Sequence, residues 1–226
     1  YFYNIGDSGL YILRYGVPPV KNGAAASSTK EWFIRDYTPK QCHSFNFPFQ
    51  QEEAQKRPRS PHRSFKPANG SADSLNVQAG DLCLVASDGL FDNLWPNDLT
   101  GLVNTFWKDG IPTDGEKPLP QLLQDMVNAI VGVTLKYSCG STTTPFENDA
   151  LQNGYKYQGG KPDDITAVLT LFQCAVSCNK EPLTTCPIDM FTIVVITTEE
   201  TTAAHVDVLF LFLLLLGLLL GLLSGS

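Results

Sequence analysis

The stretch 80–94, GDLCLVASDGLFDNL, constrains this chain more than any other. Leu82, Cys83, Leu84, Val85 and Ala86 form a short apolar run after a Gly-Asp turn, the pattern of a strand buried on both faces. The polarity then reverses within two residues. Asp88 stands where the run ends, so a rigid element carries its carboxylate to the rim of a sheet. Gly89 permits a sharp turn and a close approach. Asp88 and Asp92 are four residues apart, and one turn of helix puts both on the same side. Carboxylates so placed suit a hard divalent cation, which takes oxygen ligands. The simpler alternative is a strand, a turn and an aspartate capping the next helix.

A second stretch, 159–172, GGKPDDITAVLTLF, bears on that choice. Two glycines and a proline make a loop. Asp163 and Asp164 follow, and the apolar, partly β-branched run 165–172 reads as another buried strand. Here the carboxylates precede the strand, whereas Asp88 follows its own. If the two strands are antiparallel neighbours, Asp88 and Asp163 converge on one rim. Carboxylates that close repel each other, and the repulsion raises a pKa unless a cation lies between them. Either a metal sits there or the strands are not neighbours.

ASDGLFDNL and GGKPDDITAVL resemble the two C-terminal metal motifs of the protein phosphatase 2C family, the metal-dependent Ser/Thr phosphatases. NIGDSGL, residues 4–10, resembles that family's Gly-Asp-Ser turn. FNFPFQ, residues 45–50, is similar to a segment in the branch that includes mitochondrial members. The resemblance covers about residues 3–172. It implies an α+β fold, a four-layer α-β-β-α sandwich of antiparallel sheets. It also implies hydrolysis of phosphoserine or phosphothreonine monoesters on phosphoprotein substrates, with Mg2+ or Mn2+ as cofactor and two or more ions per complete domain. Asp88 and Asp163 would hold one ion, and Asp7 and Asp92, with Asp88, a weaker third site. Asp164 would orient the loop, while Gly89 and Gly160 let the backbone turn. No nucleophilic Ser or Cys motif is visible, and none is required, because two divalent ions roughly 3.5–4 Å apart activate water and clamp phosphate oxygens.

The chain departs from the family in one respect. The family's bridging Asp-Gly pair, phosphate-binding Arg and acid His belong to an N-terminal half without counterpart in these 226 residues. The chain opens on Tyr1 in a strand-like segment, so it is expected to be an N-terminally incomplete domain that binds metal weakly and turns over poorly. The alternative function is a membrane-tethered, catalytically inactive phosphatase-like binding module. A calcium module is disfavoured, because the acidic residues do not follow the twelve-residue loop pattern.

Composition sets outer bounds. A hydrophobic content of 43% allows a real core, and a net charge of −7 disfavours a nucleic-acid partner. The six cysteines lack a C-x-x-C pair and read as reduced thiols. Cys174, Cys178 and Cys186 cluster, but without the spacing of a zinc site. Cys83 reads as a small core residue, and the lone His43 as structural.

Residues 2–15 read as a hairpin about the Gly-Asp-Ser turn, and 32–37 as a strand. The stretch 52–73 is polar and punctuated by Pro and Gly, a flexible loop in which Ser60 could accept phosphate among arginines. Residues 97–107, with Asn97 as cap, and 119–137 carry helical apolar periods, and 138–161 reads as a long polar loop. The expected domains are therefore 1–173, a partial catalytic domain; 174–205, a linker in which 188–197 could add a strand; and 206–226, a hydrophobic tail. Within that tail, 208–223 is sixteen Val, Leu, Phe and Gly residues without a charge. As a helix it would span about 24 Å, short of the roughly 30 Å bilayer core. It reads first as a C-terminal membrane anchor that leaves the catalytic part cytosolic. The alternatives are a removable lipid-anchor signal, a translation artefact, or, for the protein's location, the mitochondrion.

Overall fold

The computed structural model describes residues 1–20, 28–49, 70–112, 115, 117–174 and 188–198. Its strands are β1 (Phe2–Asn4), β2 (Gly9–Gly16), β3 (Glu31–Tyr37), β4 (Cys42–Ser44), β5 (Phe47–Pro48), β6 (Ser71–Asp73), β7 (Leu82–Ala86), β8 (Ile165–Cys174) and β9 (Ile188–Thr198). The helices are α1 (Asp88–Phe91), α2 (Pro96–Phe106), α3 (Leu119–Ser138) and α4 (Pro145–Gln152). Five strands form one antiparallel sheet in the order β3-β2-β7-β8-β9, and β1-β6 and β4-β5 make two small sheets.

The two apolar runs occupy the middle of this sheet. β7 and β8 pair antiparallel from Leu82↔Leu171 to Ala86↔Ala167. Leu82, Leu84 and Ala86 alternate into the same core as Ile165, Ala167, Leu169 and Leu171, where they meet Leu123, Met126, Val127 and Ile130 of α3. Burying a side chain of this size contributes roughly 1.5–3 kcal/mol, so the pair is fixed in register from one end to the other. A register slip of one residue would turn Leu82 and Leu84 out of the core.

Asp81 locks the far end of β7. It is fully buried, and it takes a fork of hydrogen bonds from Arg14 on β2, Nε to Oδ1 at 2.8 Å and Nη2 to Oδ2 at 2.7 Å. The Gln78 amide also donates to Asp81 at 2.8 Å. A buried carboxylate with all its donors supplied is a structural device. This end of the strand is closed, whereas the Asp88 end is open.

Several expectations are corrected. Residues 2–15 do not form a hairpin, since β1 pairs with β6 and β2 with β3 and β7. The Gly-Asp-Ser turn is held from outside, by the Gln41 amide donating to the Gly6 carbonyl at 2.9 Å. Residues 71–73, taken as the end of a flexible loop, are strand β6. Helix α2 begins at Pro96 after Trp95, so Asn97 is not its cap. The polar stretch 138–161 contains α4. The added strand expected at 188–197 is, by contrast, present as β9, which pairs antiparallel with β8.

Of the expected four-layer sandwich, one large sheet with helices packed against it is described. Among the described residues no helix is long and apolar enough to cross a membrane. The hydrophobic tail 206–226, Ser60, Cys178 and Cys186 lie outside the described residues. Cys42, Cys83 and Cys139 are free thiols; Cys83 lies half-buried on the face of β7 away from the core, and burial pushes its thiol up to about 12, which leaves it unreactive. The exposed His43 ring packs on Phe47 and Phe49, with centroids 5.1 and 4.4 Å away.

Candidate functional site

Antiparallel pairing brings the end of β7 to the start of β8, and Ser87 ties them together. Its amide donates to the Thr166 carbonyl at 3.0 Å, its hydroxyl donates to the Asp164 carbonyl at 3.0 Å, and it accepts from the Thr166 amide at 3.0 Å. One residue later the single-turn α1 opens at Asp88, and the Asp92 amide closes it on the Asp88 carbonyl at 2.7 Å. The turn puts Asp88 and Asp92 on one side, as their spacing predicts.

The side chain at the centre of the cluster is one the sequence reading passed over. The Lys161 ammonium lies 3.0 Å from Asp88 Oδ2, 2.8 Å from Asp92 Oδ2 and 3.1 Å from Asp163 Oδ2. Asp92 is buried, and its other oxygen takes a short hydrogen bond from Lys40. The second oxygen of Asp163 accepts from the Asp164 amide at 2.9 Å. Asp164 therefore acts through its backbone, tied to both Asp163 and Ser87. Asp88 and Asp163 keep 26% and 35% of their side-chain surface open, so the rim is reachable from solvent.

The electrostatics agree with the distances. Burial pushes the Asp88 carboxyl above its ordinary range; Lys161 opposes this, while Asp163 and Asp92 reinforce it. Burial likewise raises Asp7, helped by the negative charges of Asp88 and Asp92, so Asp7 faces the same cluster. Burial alone would lower Lys161, but Asp92 and Asp88 outweigh it and the ammonium is held more firmly charged than usual. A cleft of about 230 Å³ opens beside Asp7 and Lys40, floored by Tyr11, Phe91 and Trp95.

A raised carboxylate contributes stability below its ordinary pKa, and that contribution is lost as pH rises through the raised value. Ionised Asp7 therefore destabilises the metal-free fold at neutral pH. In chelator-treated protein, Asp7→Asn should melt a few degrees above wild type at pH 7, and the gap should close by about pH 4, near the ordinary Asp value. A thermal melt at each pH checks this, and a variant less stable at pH 7 would contradict it.

Asn93 holds the Lys161 loop and was also missed. It is fully buried; its Nδ2 donates to the Gly89 and Lys161 carbonyls at 2.9 and 2.8 Å, and its Oδ1 accepts from the Lys161 amide at 2.8 Å. From the other side Thr144 caps α4 by accepting from the Glu147 amide, and its hydroxyl donates to the Gly159 carbonyl at 2.9 Å. Glu147 in turn accepts from the Gly159 amide at 2.9 Å. The sequence signal for α4 is this Thr-Pro-x-Glu start, with proline at the first helical position. Phe45, from the FNFPFQ segment, packs on Phe146, over which the Lys161 ammonium lies at 5.1 Å.

Among the described residues, no group of three Asp, Glu, His or Cys side chains is placed to hold a metal ion. Lys161 is wedged between the carboxylates instead. The donor set nevertheless fits a hard divalent cation. It consists of carboxylate oxygens alone, two from α1 and its C-cap and one from the loop before β8, converging on a point where a cationic group already sits.

An antiparallel sheet with an acidic, solvent-reachable rim at its central strand ends is an arrangement suited to a metal-dependent hydrolase. The curated relatives are protein phosphatases. Probable protein phosphatase 2C 80 of Arabidopsis thaliana is 29% identical over 167 residues, 74% of this chain and 33% of that protein. Protein phosphatase PTC7 homolog fig of Drosophila ananassae is 33% identical over 171 residues, 75% of this chain and 44% of that protein. The chain thus spans less than half the length of either. No family model matches it. The solved photosystem II phosphatase PBCP is similar with a TM-score of 0.49 and 19% identity, over 74% of this chain and 56% of that one. The chain belongs to the protein phosphatase 2C family.

Proposed function

We propose that the rim formed by Asp88, Asp92, Asp163 and Asp7 is part of the metal centre of a protein serine/threonine phosphatase that hydrolyses phosphoserine and phosphothreonine monoesters. The observation that carries this is the convergence of three carboxylates on one ammonium nitrogen within 3.1 Å, at the paired ends of two buried strands. Phosphoproteins are the substrate class, in keeping with the phosphatases this chain resembles.

Asp88 and Asp163 would hold an ion of Mg2+ or Mn2+. When bound, such an ion supplies a Lewis acid for phosphoryl oxygens and lowers the pKa of water. The chain's own residues prepare that chemistry. The buried β7 and β8 fix the two carboxylates, so little reorganisation is needed when charge develops. The Asp164 amide leaves Asp163 one oxygen for outward use. Asp92, as placed, accepts from Lys40 with one oxygen and from Lys161 with the other; each oxygen keeps a further lone pair with which it would join the weaker third site with Asp7. The cleft beside Asp7 offers an apolar wall for residues flanking a phosphorylated side chain.

The test is phosphate release from a phosphothreonine peptide by the protein. Release that needs Mn2+ or Mg2+ and stops with a chelator is expected. Release that resists chelation would overturn the assignment.

A further inference from the structure

Lys161 is not an ordinary surface lysine. Its side chain is only 18% exposed, and Asn93 pins its backbone on both sides. Gly160 precedes it, with its carbonyl accepting from the Tyr157 hydroxyl at 2.8 Å. The ammonium has three N–H donors; it donates to Asp88 Oδ2 at 3.0 Å, Asp92 Oδ2 at 2.8 Å and, more weakly, Asn46 Oδ1 at 3.5 Å, and it forms an ion pair with Asp163 Oδ2 at 3.1 Å. A rigid loop thus delivers one positive charge into the middle of the acidic rim.

Geometry and charge make this placement exclusive. An ammonium holds its oxygens at 2.8–3.1 Å here, whereas a divalent ion draws them to roughly 2.0–2.6 Å. The carboxylates cannot serve both at once at the same point. We infer that Lys161 is a built-in counterion: it fills the acidic rim while no metal is bound, is displaced when the ion enters, and thereby sets the metal concentration at which the site loads. This rests on the rim being a metal site. Without the ammonium, Asp88, Asp92 and Asp163 repel one another in the empty state and lose less when a metal arrives. Removing it should therefore weaken the metal-free fold and tighten metal binding. A lysine that merely supported the metal ligands would do the reverse.

The experiment is calorimetric titration of Mn2+ into the full-length wild type, Lys161→Gln and Lys161→Arg, with thermal melts of each in chelator. Lys161→Gln should bind Mn2+ about tenfold tighter and melt lower when metal-free, and Lys161→Arg should stay near wild type. Equal or weaker binding by Lys161→Gln overturns the inference alone. Failure of both wild type and Lys161→Gln to bind Mn2+ overturns the metal site and the inference together. Should Lys161→Gln not fold, the side-chain amine of Lys161 is followed by NMR in wild type during a Mg2+ titration. Loss of its hydrogen-bonded signal at saturation supports displacement, and an unchanged signal overturns it.

Discussion

In the full-length protein, Asp88→Asn and Asp163→Asn are each expected to lower metal-dependent release of phosphate from a phosphothreonine peptide at least ~100-fold. Each change keeps the side-chain shape and removes one negative charge from a site that works by holding a cation. The fold should survive. Asp88 is raised chiefly by burial, against the opposing charge of Lys161, so a neutral group there removes the cost of burying a charge in the metal-free state. Circular dichroism and a chelator melt separate the two effects. Activity within a few-fold of wild type in either variant would mean that other residues carry the ion.

Gly89→Ala is expected to damage both stability and site. A β-carbon at Gly89 would stand 2.4 Å from the Asp164 carbonyl oxygen and 3.0 Å from its carbon. Those are backbone atoms at the start of β8, and they cannot swing away as a side-chain tip could. The methyl group would force the Asp88 turn from the Asp163 loop. Overpacking of this kind costs about 1–3 kcal/mol, read by urea unfolding, and Mn2+ affinity should fall with it. Gly132→Ala in α3 is the control, because a β-carbon there meets nothing within 4 Å. That change should stabilise by ~0.5–1 kcal/mol through helix propensity alone. Equal effects from the two substitutions would contradict the close-approach argument.

The parts of the fold that were legible are those where local pattern and tertiary burial agree. The runs at Leu82 and Ile165 are apolar enough to read as buried strands, but their opposite order of strand and carboxylate implied a shared rim only if they were antiparallel neighbours, which the β7–β8 pairing supplies. The stripe of Leu123, Met126, Val127 and Ile130 likewise fixed α3. The β1–β2 hairpin failed because the Gly-Asp-Ser turn looks the same whether strands fold back or diverge. What decides is the outside clamp from Gln41 and the remote partner Ser71–Asp73. Helix α4 was hidden by a mean polarity that masks its Thr144–Glu147 start. Lys161 and Asn93 illustrate a deeper limit. Beside two acids, a lysine reads as solvated charge, and an asparagine after Asp92 reads as turn chemistry. Their roles exist only because residues sixty-eight positions apart meet, as the Asn93–Lys161 hydrogen bonds record.

The central claim is that one ion is shared by the carboxylates at the ends of β7 and β8. Anomalous diffraction from crystals of the full-length protein grown with Mn2+ tests it most directly. The account predicts a manganese peak roughly 2.0–2.6 Å from carboxylate oxygens of both Asp88 and Asp163. A fully occupied manganese site that touches neither carboxylate, in protein that is active in the same buffer, would contradict it.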